Sequence, residues 1–190
     1  MAKKLRPMKK AVSLAGLLCL SMNVALAQPK KLDVIGLTLG ESDFKAVQQA
    51  TEDNSGYNWN EGVAGTFKIG GYFLPCTSKF IDGKLSKFNC STKSPLYEGV
   101  VSNFEIHQTL FDGYVKKFGQ PKEQGNEILR TKIGVPVKRH TALWIDAEGG
   151  ILMISNVEGN LKEGSLLFVS AAQLKKEKEV INEINASRRF

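Results

Sequence analysis

CTSKFIDGKLSKFNC, residues 76–90, holds two of the chain's three cysteines around one turn signal, Asp82-Gly83. Aspartate followed by glycine between apolar-polar alternations is a hairpin signature. Two registers compete. A two-residue turn pairs Phe80 with Leu85 and sets Cys76 opposite Asn89, so the cysteines fall on opposite faces. A three-residue loop, Asp82-Gly83-Lys84, sets Cys76 opposite Cys90, Ser78 opposite Phe88 and Phe80 opposite Ser86. The second register gathers both phenylalanines on one face and brings the sulfurs within bonding reach. Its cost is Lys79 opposite Lys87, which water screens. We therefore expect a Cys76–Cys90 disulfide stapling a β-hairpin. Closing a loop of about 15 residues contributes about 3 kcal/mol in the chain-entropy picture. A redox or metal role fits less well. The spacing is no C-x-x-C, and no cation cluster surrounds either thiol. The chain has only two histidines, His107 and His140, too few for a zinc set with these cysteines.

A disulfide needs an oxidising compartment, and the first 27 residues predict one. Five cations (Lys3, Lys4, Arg6, Lys9, Lys10) precede the apolar run AVSLAGLLCLSMNVALA, which ends in Ala25-Leu26-Ala27. This is the order of a secretory signal peptide, residues 1–27, with cleavage after Ala27. The run is shorter than the roughly 20 residues that span a bilayer core. Leu18 stands before Cys19 where a lipoprotein signal needs a small residue, so no membrane anchor is expected in the mature form. Cleavage would remove Cys19 and leave an even pair. It also recasts the charge of +7: five of the 26 Lys+Arg belong to the leader, which leaves 21 against 19 Asp+Glu. The basic balance is an export feature rather than a nucleic-acid footprint, and a periplasmic address follows.

Residues 28–190 suffice for a single domain with one core. Val34 to Leu39 reads as a short strand or docking segment, and a helix opens at Glu41 or Ser42 with Phe44, Val47 and Ala50 on one stripe. Strand patterns follow at 65–74, 76–81 and 85–91, and Pro95 and Gly99 mark a linker. Ser102 and Glu105 form an S-x-x-E capping box ahead of Ile106, Leu110, Tyr114 and Phe118 at spacing four. Gly119 and Pro121 stop that helix. Four more strand patterns, 127–133, 137–146, 150–156 and 165–171, include a hairpin at Glu148-Gly149-Gly150. Residues 172–187 read as a C-terminal helix with Leu174, Ile181 and Ile184 on one side. The fold class is α+β: an antiparallel sheet with helices packed on one face. It divides into two helix-plus-meander halves, 34–94 and 100–171, that would share a core. Phe80-Ile81-Asp82 and Trp144-Ile145-Asp146, 64 residues apart, echo each other in the two halves.

Two short motifs carry a resemblance. Leu39-Gly40-Glu41-Ser42-Asp43-Phe44-Lys45-Ala46-Val47 opens the first helix, and Lys117-Phe118-Gly119-Gln120-Pro121 closes the second. They resemble small exported bacterial proteins related to β-lactamase inhibitor protein and to the small lipoprotein of the outer-membrane barrel assembly machine. The resemblance implies helices on one face of an antiparallel sheet, in some members as a tandem pair, and a free face able to bind a protein. Lacking a lipobox, this chain departs from the anchored members.

No constellation of catalytic, cofactor-binding or metal-binding residues stands out, and no cofactor is expected. There is no G-x-S-x-G elbow, and Gly70-Gly71 and Gly149-Gly150 lack the lysine of a phosphate loop. His140 with Asp146 and Glu148 is the one grouping that a cell-envelope hydrolase could use, but acids flanking a hairpin turn ordinarily face water. A small-ligand or lipid carrier would need a cavity lined by residues such as Phe73, Phe104 and Phe168. Tyr57 and Trp59, in the polar stretch YNWNEG, are candidate partner-binding anchors. The leading expectation is a non-catalytic module that binds an envelope protein, with no nucleic-acid role.

Overall fold

The computed structural model describes residues 31–52, 56–59, 61–93, 101–130, 136–157 and 164–187. The leader with Cys19 and the Pro95–Gly99 linker lie outside them. Ten strands and three helices follow in chain order: β1 (Asp33–Val34), β2 (Leu37–Thr38), α1 (Phe44–Gln49), β3 (Tyr57–Trp59), β4 (Gly62–Ile69), β5 (Tyr72–Ile81), β6 (Lys84–Ser91), α2 (Asn103–Phe118), β7 (Glu123–Arg130), β8 (Pro136–Ile145), β9 (Ile151–Val157), β10 (Gly164–Val169) and α3 (Ala171–Ser187). β1 and β2 form a small ribbon. The other eight form one antiparallel sheet in the order β3-β4-β5-β6-β10-β9-β8-β7. The protein is thus α+β, as its patterning predicts. Each four-stranded meander runs inward from an edge, and their last strands, β6 and β10, meet antiparallel at the centre, with Phe88 opposite Phe168.

The 76–90 hairpin uses both competing registers in turn. Cys76↔Cys90, Thr77↔Asn89, Ser78↔Phe88 and Lys79↔Lys87 follow the disulfide register, while Phe80↔Leu85 and Ile81↔Lys84 follow the two-residue turn. A bulge at Ser86 joins them. The expected Phe80–Ser86 pair does not form. Asp82 (φ 50°) and Gly83 (φ 73°) take the left-handed conformations that such a tight turn demands. One extra residue in β6 reconciles a tight turn with sulfurs that must share a face.

Side-chain period two divides the sheet into two faces. The first carries Phe67, Leu74, Cys76, Phe88, Cys90, Trp144, Leu152, Ile154, Leu166 and Phe168, all buried. Phe67 and Phe88 meet edge to face at 4.8 Å. α1 and α2 cover this face. Asp43 rather than Ser42 caps α1, accepting from the Ala46 N–H at 2.8 Å, because the Ser42 hydroxyl accepts from the Thr38 N–H at 2.9 Å. Ser102 caps α2 through the Glu105 N–H at 3.1 Å, as the capping motif predicts. Tyr114 and Phe111 of α2 lie 5.8 and 6.1 Å from the Trp144 ring. The Trp144 indole N–H donates to the Gly119 carbonyl at 2.9 Å, so the helix stop is tied to β8. Gly119 holds φ 81°, which favours glycine.

α3 is placed differently. Ser170 caps it, its hydroxyl accepting from the Gln173 N–H at 3.1 Å. Gln173 accepts from Ser86 at 3.2 Å, and Glu177 meets Lys87 at 2.7 Å. Lys87 and its partner Lys79 point away from the face that holds Phe88. α3 therefore borders the margin of the second face. Its later residues Val180, Ile181 and Ile184 are exposed.

Two boundaries depart from the sequence patterns for local reasons. β5 continues through Pro75, where a break was expected. Its ladder with β6 ends at Cys76↔Cys90, one residue short of the proline, and proline is tolerated where one side of a strand has no partner. The polar stretch Tyr57–Trp59, which carried no strand pattern, is edge strand β3, paired with β4 through Tyr57↔Ala64 and Trp59↔Gly62. The echoing stretches 80–82 and 144–146 end β5 and β8, the third and second strands of their meanders. They do not occupy matching places.

Candidate functional site

The second face is the larger candidate surface. One cross-strand row runs over all eight strands: Tyr57, Ala64, Thr77, Asn89, Leu167, Met153, Leu143 and Glu123. Tyr57 and Trp59 share it at the β3 edge, 61% and 44% exposed. The centre is mixed, with half-buried Leu143, Met153 and Leu167 beside Thr77, Ser155 and Ser165. Ser155 and Ser165 hydroxyls meet at 2.9 Å across the strands. Neither α1 nor α2 touches this side, and α3 borders it at Lys87. Aromatic anchors at a rim beside a partly apolar centre match the composition of protein interfaces.

Cys76 and Cys90 are bonded, with Cα atoms 4.0 Å apart. They lie on the first face, 3% and 0% exposed, beneath the helices. Burial of this depth keeps external thiols from the sulfurs, so the bridge staples rather than reacts.

The proposed acid–base grouping is not assembled. His140 and Asp146 stand six residues apart along extended chain, about 20 Å by strand rise. Asp146 is buried and committed to its turn: one carboxylate oxygen accepts from the Gly150 N–H at 2.7 Å and the Glu148 N–H at 3.0 Å. Gly150 leaves room for this; a β-carbon there would lie 2.6 Å from the carboxylate. Glu148 instead faces Lys31 at 3.4 Å. Nor do Phe73, Phe104 and Phe168 line one cavity. Phe168 is in the core, Phe104 is exposed on α2, and Phe73 lies on the second face near Lys68.

A site that the sequence did not suggest lies on the first face. His107 of α2 and His140 of β8, the only two histidines, line one cleft of about 200 Å³ with Phe104, Gln108, Gln124 and Asn126. Phe104 meets the His140 ring near edge to face at 6.5 Å. Burial, and then the neighbouring His140, push the His107 pKa below its ordinary value. Asn126, His140, Asn156 and Gly164 form one cross-strand row, which the Thr92 N–H extends by donating to the Gly164 carbonyl at 3.0 Å. Among the described residues, the buried side-chain polar atoms without a hydrogen-bond partner are His107 Nε2, Asn156 Oδ1 and Thr92 Oγ1. Sequence patterning missed this grouping because its members come from five elements. The only hint was a pair of polar residues, His107 and His140, at positions where the periodicity points inward.

The described residues hold no group of three or more His, Cys, Asp or Glu placed to bind a metal ion. No helix among them is long and apolar enough to cross a membrane. Comparison with family models, curated proteins and solved structures finds no match for the chain.

Proposed function

We propose that the chain is an exported, non-catalytic protein-binding module of the periplasm, and that it grips an envelope protein with the second face of its sheet. The observation that carries this reading is the shared face: Tyr57 and Trp59, exposed on β3, stand on the same side of the sheet as Leu167, Met153 and Leu143. Amphipathic rings at a sheet edge supply large contact area at low entropic cost. The half-buried aliphatic centre supplies desolvation. The buried disulfide suits an oxidising space, and the leader-like residues 1–27 suit export. The resemblance to proteins whose free sheet face binds a partner points the same way.

Site-specific photo-crosslinking in native cells tests the surface. Crosslinkers at Trp59, Thr77 and Leu167 should trap one and the same protein, and crosslinkers at Glu105 and Lys116 on the outer side of α2 should not. Equal trapping from both sides, or none from the sheet, would overturn the proposal.

A further inference from the structure

Polar groups do not stay unpaired inside a protein without a reason. Each orphaned buried donor or acceptor costs roughly 1–3 kcal/mol. Here one of them, His107 Nε2, belongs to a residue that lines a cleft on the first face.

That cleft lies between α2 and the β7–β8 edge. Its walls carry amides (Gln108, Gln124, Asn126), imidazoles (His107, His140) and the ring of Phe104, 55% exposed. Among the described residues, no Asp, Glu, Lys or Arg lines it. That composition selects a ligand class. At a pH where imidazoles are neutral, a phosphate, carboxylate or ammonium would be drawn from water without a countercharge, which is unfavourable. A purely apolar ligand would leave the amides and His107 Nε2 unpaired. A neutral, hydroxyl-rich ligand satisfies both sides. Amides and imidazoles each offer donor and acceptor atoms that match hydroxyls, and Phe104 offers an apolar surface to a C–H face. The volume, about 200 Å³, is below that of drug-sized pockets and fits one small ring.

We propose that the cleft between α2 and β7–β8 binds a single neutral sugar ring, with His107, Gln124 and Asn126 hydrogen-bonding its hydroxyls and Phe104 flanking its apolar face. The site lies on the opposite side of the sheet from the partner surface and does not depend on it.

Two histidines make the test direct. In protein labelled with ¹⁵N-histidine and carrying no histidine tag, only two imidazoles appear in the NMR spectrum. Glucose and N-acetylglucosamine are titrated at pH 7.5, with glycerol and inorganic phosphate as controls. At least one of the two sugars should shift both imidazoles saturably, with a Kd on the order of millimolar, as ligand efficiency for so small a molecule predicts. The exposed Gln124→Ala variant should keep the two-imidazole spectrum and bind at least about fivefold more weakly, consistent with loss of one hydrogen bond. No saturable shift up to about 100 mM of either sugar would overturn the proposal. So would equal shifts with glycerol or phosphate, or an unchanged titration in Gln124→Ala.

Discussion

His107 shows how one residue can set the pH response of the whole chain. Burial and the neighbouring His140 hold its pKa below the usual value of about 6.5. The unfolded chain then binds a proton more readily than the folded one. Stability from the neutral imidazole is complete above pH 6.5 and is lost as pH falls through 6.5 toward the lowered folded value. Among the described residues, His140 is the other titratable group lining the cleft. Urea denaturation at pH 7.5, 6.5 and 5.5 should show falling stability, and His107→Gln should flatten that trend. An equal slope in the two proteins would contradict this assignment. Gly62 makes a second point at this scale. A β-carbon there would lie 1.9 Å from the Ser78 carbonyl oxygen, a backbone atom that cannot swing aside. Gly62→Ala should cost about 2–3 kcal/mol, as overpacking does, in the same denaturation experiment. A loss below about 0.5 kcal/mol would mean that β4 and β5 are less tightly apposed than described.

At the scale of elements, the 76–90 hairpin is the most legible piece of the chain, and it was legible because its signals are local. Turn residues, alternation and cysteine spacing all fall within one short segment. The bulge at Ser86 was not, since neither register alone satisfies both the turn and the sulfurs, and only the neighbouring strands decide which compromise is made. α2 was equally plain, with a cap, a stripe and a glycine stop in sequence. β3 was missed because three residues carry too little pattern, and its strand character comes from pairing with β4. Pro75 argued for a break that the open end of the β5–β6 ladder makes unnecessary. Replacing Cys76 and Cys90 together by serine tests the staple. The change relaxes the closed loop and puts two hydroxyls in the core, so a loss of about 2–5 kcal/mol is expected from paired unfolding curves. Alkylation and intact-mass analysis of the parent should show no free thiol at Cys76 or Cys90. A stability change within about 0.5 kcal/mol, or two alkylatable sulfhydryls, would contradict the structural role given to the bridge.

At the scale of the molecule, the sheet has two faces with different histories of burial. One is filled by α1, α2 and the aromatic core. The other keeps its apolar residues half-covered, and α3 only borders it. The α+β class and the helix-covered face follow from periodicity, because a helix stripe and a strand alternation each need a partner to bury against. The mirrored order of the meanders does not follow from periodicity. It rests on the long-range pairing of β6 with β10, which no short segment encodes. For the same reason Tyr57 and Trp59 could be marked as exposed aromatics but not assigned to a face, and His107 and His140 could not be brought together.

The measurement that tests the central claim most directly is partner capture by the double variant Tyr57→Ser/Trp59→Ser, crosslinked from Leu167 in native cells. Both side chains are exposed, so the thermal midpoint should stay within about 2 °C of the parent. The partner adduct should fall about thirtyfold or more, the effect of removing an aromatic hot spot. A folded double variant that traps its partner as well as the parent does would show that the second face is not the binding surface.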